Sequence, residues 1–170
     1  MSPPILTLQA PSGTGKTTLM EGMIAVLTEQ GFHVAALKHA GHAHPLDKPG
    51  SDSHRYRAAG ASQAAVMNGH TLAVFGPPGK RGPRALAAAL FPDADLVLAE
   101  GWRGHGLPVI RVVRGASALP DDWKTPDPVV AWATDGRSAP HGLPSLPLND
   151  PSTVAAWVRT HLGIQHPRQR

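Results

Sequence analysis

The sequence predicts an α/β protein in three layers, with helices on both faces of a mainly parallel sheet and a small antiparallel addition. Three observations predict it. An apolar run (Ile5, Leu6, Leu8) enters a glycine-bearing segment from Ala10 to Thr18 and leaves as a helix. Further apolar runs recur at 32–37, 95–101, 109–113 and 129–133, with helix-spaced or glycine- and proline-rich stretches between them. Finally, Asn68-Gly69 separates two short apolar runs, a hairpin signal. Strands alternating with helices imply a parallel sheet covered on both faces, with ligands at the carboxyl ends of the strands.

The first element carries the chemistry. Ala10-Pro11-Ser12-Gly13-Thr14-Gly15-Lys16-Thr17-Thr18 matches a phosphate-binding loop, in which several backbone N–H groups must converge on phosphate oxygens. Gly13 and Gly15 keep side chains off the concave face, Lys16 supplies a positive charge for the β and γ phosphates, and Thr17 offers a hydroxyl to Mg²⁺. Such a motif counts only between a strand and a helix. Both flanks are present, since Leu19, Met20, Met23, Ile24 and Leu27 follow at helical spacing and Gly31 supplies a stop. Ala10 stands where a first glycine is usual. The expected architecture is therefore the three-layer P-loop NTPase fold, and the expected ligand a nucleoside triphosphate bound through Ser12 to Thr18.

Phe32 to Leu37 reads as a second strand. The stretch after it holds Lys38, His39, His42, His44, Asp47, Lys48, Asp52 and Ser53, few of its residues being large and apolar. Three histidines invite a metal. Lacking an obvious fourth ligand, they read as solvated or phosphate-facing side chains. Asp52 or Ser53 is expected to cap a short helix over 54–59. Ala64 to Met67 and Leu72 to Phe75 are the hairpin, expected at one side of the sheet. Lys80, Arg81 and Arg84 form the densest basic group, in a glycine- and proline-rich loop, before a short helix over 84–90.

Asp95 to Gly101 is a buried strand ending in Glu100, placed to hold magnesium beside the phosphate loop. Trp102 and Arg103 follow directly. Val109 to Val113 and Val129 to Ala133 are two more strands. Asp135, after the second, is a candidate acceptor for guanine N–H groups, or equally a turn aspartate before Gly136. Asn149-Asp150-Pro151 opens a final helix with Val154, Trp157, Val158 and Leu162 on one face.

A length of 170 residues suggests one domain, over 1–164, with a frayed tail at 165–170. Glycine and proline number 18 each, about a fifth of the chain, below the roughly 25–30% of low-complexity segments. The absence of cysteine excludes disulfides and thiolate chemistry and is compatible with a reducing cytoplasm. Neither a secretory leader nor a long apolar run is visible, so the expectation is a soluble cytoplasmic protein. The net charge is +4, but Lys and Arg are scattered without interleaved aromatics, which argues against nucleic acid.

The phosphate loop, Lys38-His39, Asp47-Lys48-Pro49-Gly50, Asp52-Ser53, Ala58-Ala59-Gly60-Ala61 and Glu100-Gly101-Trp102, in this order, resemble the MobB family of molybdopterin-guanine dinucleotide biosynthesis adapters. The resemblance covers about residues 5–160, and Ala133-Thr134-Asp135 and Leu148-Asn149-Asp150 fit its later pattern. It implies a GTP-binding homodimer with weak GTP hydrolysis at most, which assists the guanylyltransferase joining GMP to molybdopterin. It further implies Lys16, Thr17, Asp47 and Glu100 as the nucleotide and magnesium set, with Arg103 where lysine is more usual. The alternative is a small-molecule kinase using the same loop, with Arg55, Arg57 and Asp52 serving a substrate lid and base.

Overall fold

A computed structural model describes residues 2–41, 45–77, 79–115, 127–136 and 138–168. His42 and His44 lie outside the described residues. The chain divides into two compact units, one of residues 1–39 and 82–170 and one of residues 40–81.

Among the described residues the first unit holds six strands: β1 (Ile5–Gln9), β2 (Val34–Lys38), β5 (Leu96–Glu100), β6 (Val109–Val113), β7 (Val129–Thr134) and β8 (Ser145–Pro147). They form one sheet in the order β2-β5-β1-β6-β7-β8, every neighbouring pair parallel. β1 is central, with Ile5 opposite Val97 and Thr7 opposite Val109. β1, β5 and β6 are buried at every position, as strands covered on both faces must be. Helices α1 (Lys16–Glu29) and α4 (Pro151–Leu162) cover one face through Leu19, Met23, Leu27, Val154 and Val158, against Leu6, Leu8, Leu98 and Ile110. Helix α3 (Pro83–Leu90) covers the other through Ala87, against Ile5, Val97 and Leu107. Each fully buried leucine or methionine here contributes roughly 1.5–3 kcal/mol relative to exposure.

Local chemistry sets the helix ends. α1 stops where Gly31 N–H donates to Thr28 O and Phe32 N–H to Leu27 O, the paired bonds of a Schellman cap. α4 starts at Asp150, whose carboxylate accepts from the backbone of Ser152 and Thr153 at 3.1 Å each. The hydroxyls and amides of these two residues hold the Asp150 carboxyl at about 2. α3 begins one residue before the expected span because Pro83 sits at the first helical position, where its missing N–H costs nothing. Strand β8 was not anticipated from the sequence. It is three residues long, ends in proline and pairs with β7. Arg168 N–H donates to the buried Asp95 at 2.9 Å, so described residues of the expected tail are anchored.

The second unit holds α2 (Asp52–Ala58) and the antiparallel pair β3 (Ala64–Met67) and β4 (Leu72–Phe75). The hairpin forms its own two-stranded sheet instead of extending the larger one. Asn68 makes the turn with its side chain: Oδ1 accepts from His70 and Thr71 N–H. An Asx turn thus replaces the primed turn that Asn-Gly suggests, and Gly69 stays out of the left-handed region. The α2 cap is Ser51, one residue before the expected pair, accepting from His54 N–H at 3.3 Å. Ser53 is buried and donates to Asp47 instead.

Candidate nucleotide site

The segment between β1 and α1 is bent by Gly13 (φ 79°) and Gly15 (φ 89°), both in the left-handed region open to glycine. Thr14 Oγ1 donates to Pro11 O at 2.9 Å and closes the loop internally. Gly15 caps α1 without any side-chain bond, and no acidic residue occupies the first turn. The first-turn amides of α1 therefore lack side-chain caps, and the positive end of the helix is uncompensated, an arrangement suited to an anion. Residues 11–18, Lys38 and Glu100 line a cavity of about 450 Å³ here.

Sheet order brings Glu100 to this loop, because β5 is the immediate neighbour of β1. Lys16 Nζ lies 2.9 Å from Glu100 Oε1, and Lys38 Nζ lies 3.5 Å from the same oxygen. The Lys16–Glu100 pair is mostly buried, whereas Lys38 reaches in from the exposed sheet edge. Ser12, Gly13, Thr17 and Thr18 are exposed at the mouth. A hydroxyl (Thr17) and a carboxylate (Glu100) lining one cavity are hard oxygen donors, so the residues present fit a magnesium ion.

A second cavity, of about 590 Å³, lies at the carboxyl ends of β7 and β8 and is lined by residues including Asp135, Gly136, Leu148, Asn149 and Asp150. Asp135 is exposed, and both its carboxylate oxygens accept from Gly115 N–H, at 2.9 and 3.0 Å. It therefore fixes the chain leaving β6.

Three features escaped the sequence reading. Arg114, directly after β6, donates from Nε to Thr14 O at 3.2 Å and from Nη2 to Asn149 Oδ1 at 3.0 Å. Gln9, the last residue of β1, is fully buried and donates to Trp102 O at 3.2 Å and Asp127 Oδ2 at 3.1 Å. Asp127 also accepts from Gly104 and Gly106 N–H, so it fastens the loop that follows Glu100. Beside it, burial lowers the pKa of Arg111; Asp127 opposes that shift and Arg103 adds to it. A long polar residue closing a strand of mainly apolar residues was the available signal for Gln9. Arg114 had none. Trp102 is flanked by His39 and His105, ring centroids 4.9 and 5.3 Å away, so His39 packs on an indole.

Asp47 belongs to the second unit. It is buried and accepts from Ser53 Oγ at 2.8 Å, Ser51 Oγ at 3.0 Å and Arg57 Nη2 at 2.7 Å. Burial pushes its pKa up, but these hydrogen bonds and the Arg57 charge outweigh it and hold the carboxyl below its ordinary value. Arg55 pairs with Asp52 at 3.6 Å on the exposed face of α2. In the basic loop Lys80 and Arg81 are exposed, while Arg84 donates to Gly106 O at 3.3 Å.

A parallel sheet with its glycine loop between the central strand and a covering helix, and a carboxylate at the end of the adjacent strand, defines the P-loop NTPase fold class. The chain belongs to the MobB family, described as molybdopterin guanine dinucleotide synthesis protein B, whose model matches residues 5–135. It is 34% identical over 137 residues to the molybdopterin-guanine dinucleotide biosynthesis adapter protein of Escherichia coli (strain K12), covering 78% of each chain. Among solved structures it is similar to Bacillus subtilis MobB, with a TM-score of 0.73, 26% identity and coverage of 94% of this chain and 98% of that one. A crystal structure of molybdopterin-guanine biosynthesis protein B (mobB) aligns with a TM-score of 0.74 at 24% identity, covering 93% of this chain and 99% of that one, and shares the fold. Among the described residues no helix is long and apolar enough to cross a membrane.

Proposed function

We propose that this chain is an adapter in molybdopterin guanine dinucleotide synthesis, which binds GTP in its phosphate loop and assists a guanylyltransferase according to its nucleotide state. Family membership supports the adapter role. The observation that carries the nucleotide reading is the Lys16–Glu100 pair, 2.9 Å apart in the loop cavity. An incoming phosphate draws Lys16 from this pair, and Glu100 is released to face the mouth. Thr17 and Glu100 would hold magnesium, which would neutralise charge on the β and γ phosphates. Asp47, which the resemblance implies as a further ligand, is held within its own unit by Ser51, Ser53 and Arg57. The cavity at the ends of β7 and β8 is the matching place for the base, with Asp135 and Asn149 on its wall.

The resemblance implies slow hydrolysis at most. Calorimetric titration with GTP and ATP, with and without Mg²⁺, tests the reading. Magnesium-dependent binding selective for GTP, with turnover below about one per minute, is the expected result. Equal or tighter ATP binding would sink it and turn attention to phosphoryl transfer.

The second unit supports a homodimer. Met67, Leu72 and Val74 share one face of the hairpin and are 78, 63 and 57% exposed, with Met67 opposite Leu72. An isolated two-stranded ribbon is marginal in water, and a contiguous exposed apolar surface marks an interface. Light scattering is expected to show a dimer that Met67→Glu converts to monomers. A wild-type monomer at micromolar concentration would refute this.

A further inference from the structure

We propose that Arg114 is a positioning residue that couples the cavity at Asp135 and Asn149 to the phosphate loop, so that filling one cavity orders the other. This rests on the reading that the loop holds a nucleoside triphosphate whose base occupies the second cavity.

Three observations carry it. The guanidinium bridges a backbone carbonyl of the loop, Thr14 O, and the side chain of Asn149. Thr14 lines the first cavity and Asn149 the second. Next, Arg114 Nη2 would lie 3.0 Å from a Cβ placed on Gly15, so the guanidinium lies close against the loop where any side chain would crowd it. Lastly, both oxygens of Asp135 hold Gly115 N–H and fix the backbone next to Arg114.

The residue type matters. A guanidinium is a rigid planar fork that serves two acceptors in different directions, whereas an ammonium on a flexible stem is a point charge. A base settling against Asn149 fixes the far end of this fork, and its near end holds the Thr14 carbonyl and the direction of the loop amides. Coupling of this kind is reciprocal: phosphate in the loop favours base binding by the same factor.

The test is calorimetry on the full chain with Mg-GTP and with Mg²⁺ plus inorganic triphosphate, for wild type, Arg114→Ala, Arg114→Lys, Asn149→Ala and the Arg114→Ala/Asn149→Ala pair. Arg114→Ala is expected to weaken GTP about tenfold and triphosphate less than about threefold. Arg114→Lys is expected not to restore GTP binding, and Arg114→Ala to cost less in the Asn149→Ala background than in wild type. Equal losses for both ligands, full rescue by lysine, or additive losses overturn the coupling. Asn149→Ala cuts the same link at an exposed position and keeps the test decisive if Arg114→Ala unfolds. Wild type that binds neither ligand overturns the nucleotide reading and this inference together; GTP binding unchanged in every variant overturns this inference alone.

Discussion

Replacing Lys16 with alanine is expected to weaken Mg-GTP binding by at least about a hundredfold, read by calorimetry. Charge-assisted hydrogen bonds to phosphate contribute roughly 1.5–3 kcal/mol each, and one ammonium can make more than one. A second effect adds to this loss. In the absence of magnesium, Glu100 without Lys16 keeps, among the described residues, Lys38 at 3.5 Å on an exposed side chain, so a mostly buried carboxylate faces the incoming phosphates with little compensation. Glu100→Gln separates the two effects. Without magnesium it is expected to tighten GTP binding, because Lys16 loses its competing partner and the repulsion disappears. With magnesium it is expected to weaken binding. Lys16→Ala that binds GTP within threefold of wild type would remove the loop as the phosphate site.

Gly101→Ala is expected to destabilise the fold by roughly 2–4 kcal/mol and to lower Tm by roughly 5–15 °C. Gly101 has φ 82°, and a Cβ there would lie 2.7 Å from His39 O, a backbone atom that cannot rotate away. His39 N–H donates to Glu100 O at 2.9 Å, so the ends of β2 and β5 are tied at this point. A methyl group forces them apart and shifts Glu100 from Lys16. Gly104→Ala is the control, since Gly104 has φ 72° but nothing within 4 Å of an added Cβ. It should cost only the backbone strain, roughly 1–2 kcal/mol. Equal losses in thermal melts of the two variants would show that the contact with His39 contributes nothing.

Much of the fold was legible because its signals are local and redundant. The phosphate loop is flanked by an apolar strand and a periodic helix, and β5 is a continuous apolar run ending in a single carboxylate. Glu100 was legible as the carboxylate ending a strand beside the phosphate loop, whereas its pairing with Lys16 was not read from the sequence. What escaped the reading depends on pairing across long distances. β8 has three residues, two of them Ser and Pro, and is a strand only because β7 offers it an edge. Arg114 is one basic residue at a strand end, and its two acceptors are 100 and 35 positions away. The cap of α2 failed for a different reason: Ser51, Asp52 and Ser53 are all competent caps, and Asp47 decides by taking Ser53. The hairpin was readable from Asn68-Gly69, but an antiparallel pair can add to a sheet or stand apart, and its own sequence does not choose.

The central place of β1 also governs the order in which the molecule can be assembled. Its partners lie about ninety to a hundred positions further along, with Leu6 opposite Leu98 and Leu8 opposite Ile110. A chain emerging from the ribosome therefore carries its phosphate loop as unsupported backbone until β5 and β6 have been synthesised. Closing so long a loop is entropically costly and slow, and until then the apolar segment at 5–8 has no strand to pair with. The loop between β1 and α1 thus gains its neighbouring strands only late in the synthesis of each chain.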